Sequence, residues 1–112
     1  MPEIKDGKPV ISYKKTTVNA STSNVVIDSI DSSVFKSFKW TVSVYDSVSL
    51  KRKLSDILVV LVDANVNHTE VIVGDNINNT IDVDLNSGNV RLLITNNESN
   101  SLEIDIVALK FW

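Results

Sequence analysis

Asp82-Val83-Asp84-Leu85-Asn86-Ser87-Gly88 opens like a calcium loop, with two aspartates one residue apart ahead of a glycine. A loop of the EF-hand kind needs glycine at its sixth position, for the sharp turn, and a bidentate glutamate at its twelfth. Here the glycine falls one residue late and the twelfth position is Leu93, while the alternation of Val83 and Leu85 explains the same spacing as a strand. The pairs Asp82/Asp84 and Glu103/Asp105 have the residue type glycosidases use, but on an exposed sheet face nothing raises one carboxyl pKa to make it an acid. His68, the sole histidine, sits in Asn67-His68-Thr69 with no serine or carboxylate motif pointing to it as a base. It reads as a surface residue. The glycines at positions 7, 74 and 88 are too dispersed to cradle a phosphate. No catalytic residue, metal or cofactor is therefore assigned, and the chain is expected not to be an enzyme.

Composition narrows the partners. The densest basic cluster, Lys51-Arg52-Lys53, lacks the aromatic platforms and surplus positive charge of a nucleic-acid site, in a chain of net charge −3, and reads as a loop tip. The charge is unevenly placed: nine basic and five acidic residues up to Lys53, two basic and nine acidic beyond it. Such ends could meet in an assembly, but solvated strand faces and turns are the favoured explanation. No apolar run has transmembrane length and the first residues lack a signal-type apolar region, so no membrane is expected as partner. Cysteine is absent, which removes disulfides and thiolate metal sites and leaves stability to packing. Sequons at Asn19, Asn67, Asn78 and Asn97 are explained by chance among twelve asparagines.

The elements that would position these residues are strands. In residues 81–85 and 90–94 apolar side chains recur at every second position, which places them on one face of a pleated strand. Ser87 and Gly88 between them suit a two-residue hairpin loop, so that Val83 lies opposite Leu92, Ile81 opposite Ile94, and Asp84 opposite Arg91. Residues 102–106 are expected to pair on the other side, with Leu92 near Ile104 and Arg91 between Asp84 and Asp105. Cross-strand pairs contribute roughly 0.2–1 kcal/mol and a buried Leu or Ile about 1.5–3 kcal/mol, so the apolar face sets the register and the ion pairs tune it.

Residues 1–24 read as an extended arm, with a short edge strand over 10–13; the alternative is a frayed terminus. Residues 25–30 form a strand ending in the turn Asp31-Ser32-Ser33. In residues 38–45, Phe38, Trp40, Val42 and Val44 alternate with polar partners, and Trp40 is expected to anchor the core rather than stack on a ligand. Residues 57–62 are apolar on both faces and predict a central strand, covered by the second sheet and by a neighbouring subunit. At the carboxy terminus Val107, Leu109, Phe111 and Trp112 are apolar on the face that carried Glu103 and Asp105, a pattern that calls for cover by the arm or another subunit. With Val10, Ile11 and Tyr13 they make up the candidate interface. Seven or eight strands without helical periodicity indicate an antiparallel β-sandwich, jelly-roll or immunoglobulin-like, over residues 25–112.

Three runs, residues 26–40, 54–60 and 86–95, resemble a segment that recurs in virion structural proteins of tailed bacteriophages. The order of aspartate, turn, aromatic and basic residues, then strand, followed by Gly88-Asn89-Val90-Arg91-Leu92-Leu93, carries the resemblance. Where relatives carry a glycine turn after the central strand, this chain has Asp63-Ala64-Asn65. The resemblance implies a non-enzymatic β-sandwich of the virion, assembled in the bacterial host cytoplasm. Its partners would be other virion proteins, above all the major capsid protein, with a homo-oligomer possible. A lone small domain with an arm suggests an auxiliary, decoration or cement, protein that binds the capsid exterior and stabilises it. A tail, neck or fibre component is the first alternative and a carbohydrate-binding module the second.

Overall fold

The computed structural model describes residues 8–112, which form eight antiparallel strands in two facing sheets. The strands are β1 (Val10–Val18), β2 (Thr22–Asp31), β3 (Ser37–Asp46), β4 (Lys51–Val62), β5 (Asn65–Gly74), β6 (Asn79–Asn86), β7 (Asn89–Asn96) and β8 (Leu102–Phe111). One sheet has five strands in the order β1-β8-β3-β4-β5, the other three in the order β2-β7-β6. The expected β-sandwich is therefore present. First strand pairs with last and second with last but one, as in a rolled ribbon, whereas β3, β4 and β5 run as a meander.

The core lies between the sheets and is built from strand alternation. Phe38, Trp40, Val42 and Val44 of β3 all point inward and are buried, as are Ile57 and Val59 of β4 and Leu102, Ile104, Ile106 and Ala108 of β8. The small sheet answers with Ile27, Ile30, Val83, Val90, Leu92 and Ile94. Trp40, 0% exposed, is the largest fully buried side chain, and Phe38 meets it edge-on with ring centroids 5.1 Å apart. Its indole N–H needs an acceptor inside an apolar core. A β-bulge supplies one: the register of β2 against β7 shifts between Val26 and Asp28, so Asp28 falls opposite the inward-facing Leu92. Trp40 Nε1 donates to Asp28 Oδ2 at 2.8 Å.

The β6–β7 hairpin is the one expected. Val83 pairs with Leu92, Ile81 with Ile94 and Asp84 with Arg91, and Ser87 and Gly88 have φ of 51° and 81°, the positive values of a type I′ turn. Arg91 Nε and Nη2 donate to the two carboxylate oxygens of Asp84 at 2.8 and 2.6 Å, which holds the Asp84 carboxyl below its usual range.

Three expectations are corrected. The strand β8 does not join β7; it crosses to the five-stranded sheet between β1 and β3. Leu92 and Ile104 thus face each other across the core instead of lying side by side, and Asp105 is 3.3 Å from Lys15 on β1 rather than beside Arg91. Alternation fixes which face of a strand is buried, and both placements satisfy it. Asn96 directs the crossing: its Nδ2 donates to the carbonyls of Val18, Asn19 and Asn100, and its Oδ1 accepts from Glu98 N at 2.8 Å. Secondly, the arm expected over residues 1–24 belongs to the sandwich from Val10 onward, because β1 has a free β8 edge to pair with; residues 1–7 lie outside the described residues. The boundary drawn after residue 24 falls inside β2. Thirdly, Lys51-Arg52-Lys53 is no loop tip but the start of β4, with the Arg52 guanidinium 4.0 Å from the Tyr45 ring centroid and Lys53 Nζ donating to Asn79 Oδ1 at 2.9 Å.

Candidate interaction surface

The outer face of the five-stranded sheet is assembled from in-register rows. Ile11, Leu109, Lys39, Leu58 and Thr69 follow one another across β1, β8, β3, β4 and β5, and the next row is Tyr13, Val107, Thr41, Asp56 and Val71. At this end of the sheet the outward residues of β3, Ser37 and Lys39, are polar, while Leu109 and Phe111 of β8 and Leu58 and Val60 of β4 on either side are large and apolar. The result is a trough. Leu109 and Phe111 form one wall, Leu58 and Val60 the other, with Ser37 and Lys39 between them, in an open groove of about 570 Å³.

Five of the seven candidate interface residues meet on this face: Ile11, Tyr13, Val107, Leu109 and Phe111. Tyr13 is 68% exposed. Val10 and Trp112 do not join them. Val10 lies opposite Lys110 on the inward parity. Trp112 packs on Phe35 at 4.9 Å between centroids and donates its indole N–H to Lys8 O at 2.8 Å, so the amino-terminal segment covers it. Of the predicted core residues, Trp40, Val42, Val44, Val83, Leu92, Ile94 and Ile104 are all buried.

The strand predicted to be central is next to the edge. On β4, Ser55, Ile57 and Val59 are covered by the small sheet, but Leu54, Leu58, Val60 and Val62 on the other side are exposed, Leu58 by 48%. Beyond it β5 has no buried residue, and Val71, Ile72 and Val73 are exposed on both of its faces. Sequence reasoning missed β5 as surface. The available signal was arithmetic: residues 57–62 are apolar on both sides, and three strands cannot cover five.

The charges on the outer face are internally answered. Asp56 accepts from Thr41 Oγ1 at 2.7 Å and lies 3.9 Å from Lys39 Nζ, which leaves the neighbouring Leu58 and Val60 in an electrically quiet setting. His68 is exposed on β5, opposite Val59. Asp82, on the calcium-like stretch, accepts from its neighbour Val83 N, and Asp84 is engaged by Arg91. Among the described residues no group of three His, Asp or Glu side chains is disposed to hold a metal.

Comparison with protein-family models gives no match, and neither does comparison with curated proteins. Among solved structures the chain is similar to the crystal structure of the Acinetobacter phage vB_ApiP_P1 tailspike protein, with a TM-score of 0.55 and 13% sequence identity over 88% of this chain. At that identity the likeness is one of fold. The chain spans 21% of the length of that tailspike chain.

The groove is open, with apolar walls that include Phe111, and Asn67, His68 and Thr69 of β5 complete its lining.

Proposed function

We propose that this chain is a non-enzymatic structural domain of a bacteriophage particle, which acts by seating the outer face of its five-stranded sheet against another virion protein. The observation that carries the reading is the exposed apolar stretch from Ile11 and Phe111 across to Val60 on a domain whose core is otherwise fully covered. Monomeric soluble proteins rarely leave a contiguous patch of this kind bare. Two further supports are independent of each other: the resemblance of residues 26–40, 54–60 and 86–95 to phage virion proteins, and the fold likeness to a phage tailspike.

Of the virion locations, we place the domain in the tail apparatus, because the structural likeness is to a tailspike. Attachment to the capsid exterior as a decoration protein is the second reading and rests on the sequence resemblance. Binding of either sort works as linkage: contacts made only with the assembled particle add their free energy to that particle's stability.

The test is cosedimentation of the purified chain with tailed particles and with tail-less heads that lack it, scored as copies bound per particle. A small, fixed number on tailed particles alone supports the tail assignment. Many copies on heads replaces it with decoration. No binding to either overturns the virion reading, and a glycan array then becomes the informative assay. Leu58→Asp, on the groove wall, should abolish binding while the circular dichroism spectrum is unchanged.

A further inference from the structure

The sandwich has four edge strands, β1, β5, β2 and β6, and an exposed edge is a row of unpaired N–H and C=O groups that templates pairing with another chain. Three of the four carry features that oppose such pairing. In β1 these are the exposed Lys14 and Lys15, preceded by Pro9. In β2 they are two register shifts, between Thr22 and Val25 and between Val26 and Asp28, which bend the strand out of line. In β6 they are the carboxylates of Asp82 and Asp84. Like β6, β5 has no lysine, arginine, proline or register shift, but it carries one carboxylate, Glu70, where β6 carries two. The strand β5 runs straight against β4 from Asn65 to Gly74, and Ile72 and Val73 are 52% and 65% exposed.

We propose that β5 is a self-pairing edge, joining a second copy of this chain in antiparallel fashion into one continuous sheet. The occupant follows from complementarity within the strand. A two-fold axis perpendicular to the sheet pairs residues whose numbers have a constant even sum, since opposite residues share a face. Centred on Thr69, that register places His68 of each copy opposite Glu70 of the other and Val66 opposite Ile72, with the strand matched from Asn65 to Val73. His68 is a hydrogen-bond donor in either protonation state and Glu70 an acceptor, so the pair is made twice. Centring one residue later sets Glu70 against Glu70, and one residue earlier sets His68 against His68. Centring two residues away, on Asn67 or Val71, avoids both clashes but forgoes the His68–Glu70 pair, so charge favours Thr69. The pairing also gives Ile72 an apolar neighbour, and it needs no virion component, so it stands or falls separately from the proposed function.

The experiment uses the full chain, which has no cysteine of its own. Thr69→Cys, at the two-fold axis, should form a disulfide-linked dimer under mild oxidation, because directly opposed residues in antiparallel strands bring their Cβ atoms within bridging range. Thr17→Cys, on the lysine-bearing β1 edge, should not. Sedimentation velocity across a concentration series should show a monomer–dimer equilibrium. Glu70→Lys and His68→Glu should each weaken it about tenfold, through unlike pairs made alike, and the H68E/E70K double variant should restore it. Circular dichroism of each variant reports whether the fold is kept. A chain that is monomeric at every concentration overturns the proposal, as does a dimer unaffected by Ile72→Lys. A dimer that Thr69→Cys cannot lock, or that the double variant fails to restore, overturns the register and with it the argument for a second copy.

Discussion

The strands β3 and β5 are alike in length and in mixing apolar with polar residues, and they meet opposite fates. Each is ten residues long, each pairs with β4, and each contains valines among polar residues. Yet every second residue of β3 from Phe38 to Asp46 is buried, and no residue of β5 is. The difference lies in what stands across from them. A three-stranded sheet covers the middle of a five-stranded one and leaves its β5 side bare. Strand-forming tendency is local to the segment, whereas burial is a property of the layer above it.

The contrast breaks most severely at Trp40. Trp40→Ala should cost about 3–5 kcal/mol, through the cavity it opens and the Asp28 carboxylate it leaves without its indole donor. Urea unfolding monitored by circular dichroism should show a large fall in the midpoint. A loss under 1 kcal/mol would mean that Trp40 is not the anchor of the covered half.

The next largest effect is expected where β5 ends. Gly74 has φ of +122°, and a Cβ there would stand 2.6 Å from the carbonyl oxygen of Arg52, a backbone atom that cannot swing away. Asp75 closes the same corner, its N–H donating to Arg52 O at 2.8 Å and its Oδ2 accepting from Arg52 N at 2.9 Å. Gly74→Ala should destabilise by about 1–3 kcal/mol. Thermal unfolding with no shift in midpoint would show that the β4–β5 corner is slack and the bare half looser than its geometry implies.

Acid sharpens the comparison at the other end of β3. Asp46, buried in the turn into β4, accepts from Ser49 N and Val48 N and from Asn100 Nδ2, and the Ser49 amide before the others holds its carboxyl below the usual range. A carboxyl whose folded pKa is depressed stabilises the native state fully above the unfolded value, about 4, and loses that contribution as pH falls through the folded value. Asp84, lowered by Arg91, acts in the same direction. The melting temperature should therefore decline below about pH 4, and Asp46→Asn should flatten that decline while lowering the plateau above it. An unchanged acid limb in the variant would remove Asp46 from the account.

The smallest effect belongs to β5 itself. Val73→Thr should change stability by no more than about 0.5 kcal/mol, since an exposed methyl group is exchanged for a hydroxyl already in water. A loss above 1 kcal/mol would show that Val73 is covered in the free protein, which under the pairing described above means a dimer at the concentration assayed.

The parts of the fold readable from sequence are those whose information is local. Ser87 and Gly88 between two alternating runs determine a hairpin and its register together, and Phe38 to Val44 declares its own buried face. The partner of β8 is not local: Leu102, Ile104 and Ile106 bury equally well in either sheet, and the choice rests on Asn96, whose amide gathers carbonyls from Val18, Asn19 and Asn100. The bulge that turns Asp28 to Trp40 leaves no pattern of its own, because Ile27 and Asp28 read simply as one apolar and one polar residue. As for the surface, the carboxy-terminal half of it was visible as apolar residues out of phase, Val107, Leu109 and Phe111. Its β4 half was not, since Leu58 and Val60 look the same whether a second layer covers them or not.

The pairing of Val10 with Lys110 places the point where the chain enters the sandwich beside the point where it leaves. Tension drawn between those two points would load the β1–β8 ladder one bonded pair at a time, peeling it like a zipper, and would reach Trp40 only after β1 had come away. A pull spread along the whole β5 edge would instead have to part all the bonded pairs of the β4–β5 ladder together. The domain is thus mechanically soft along its own chain and stiffer across the sheet.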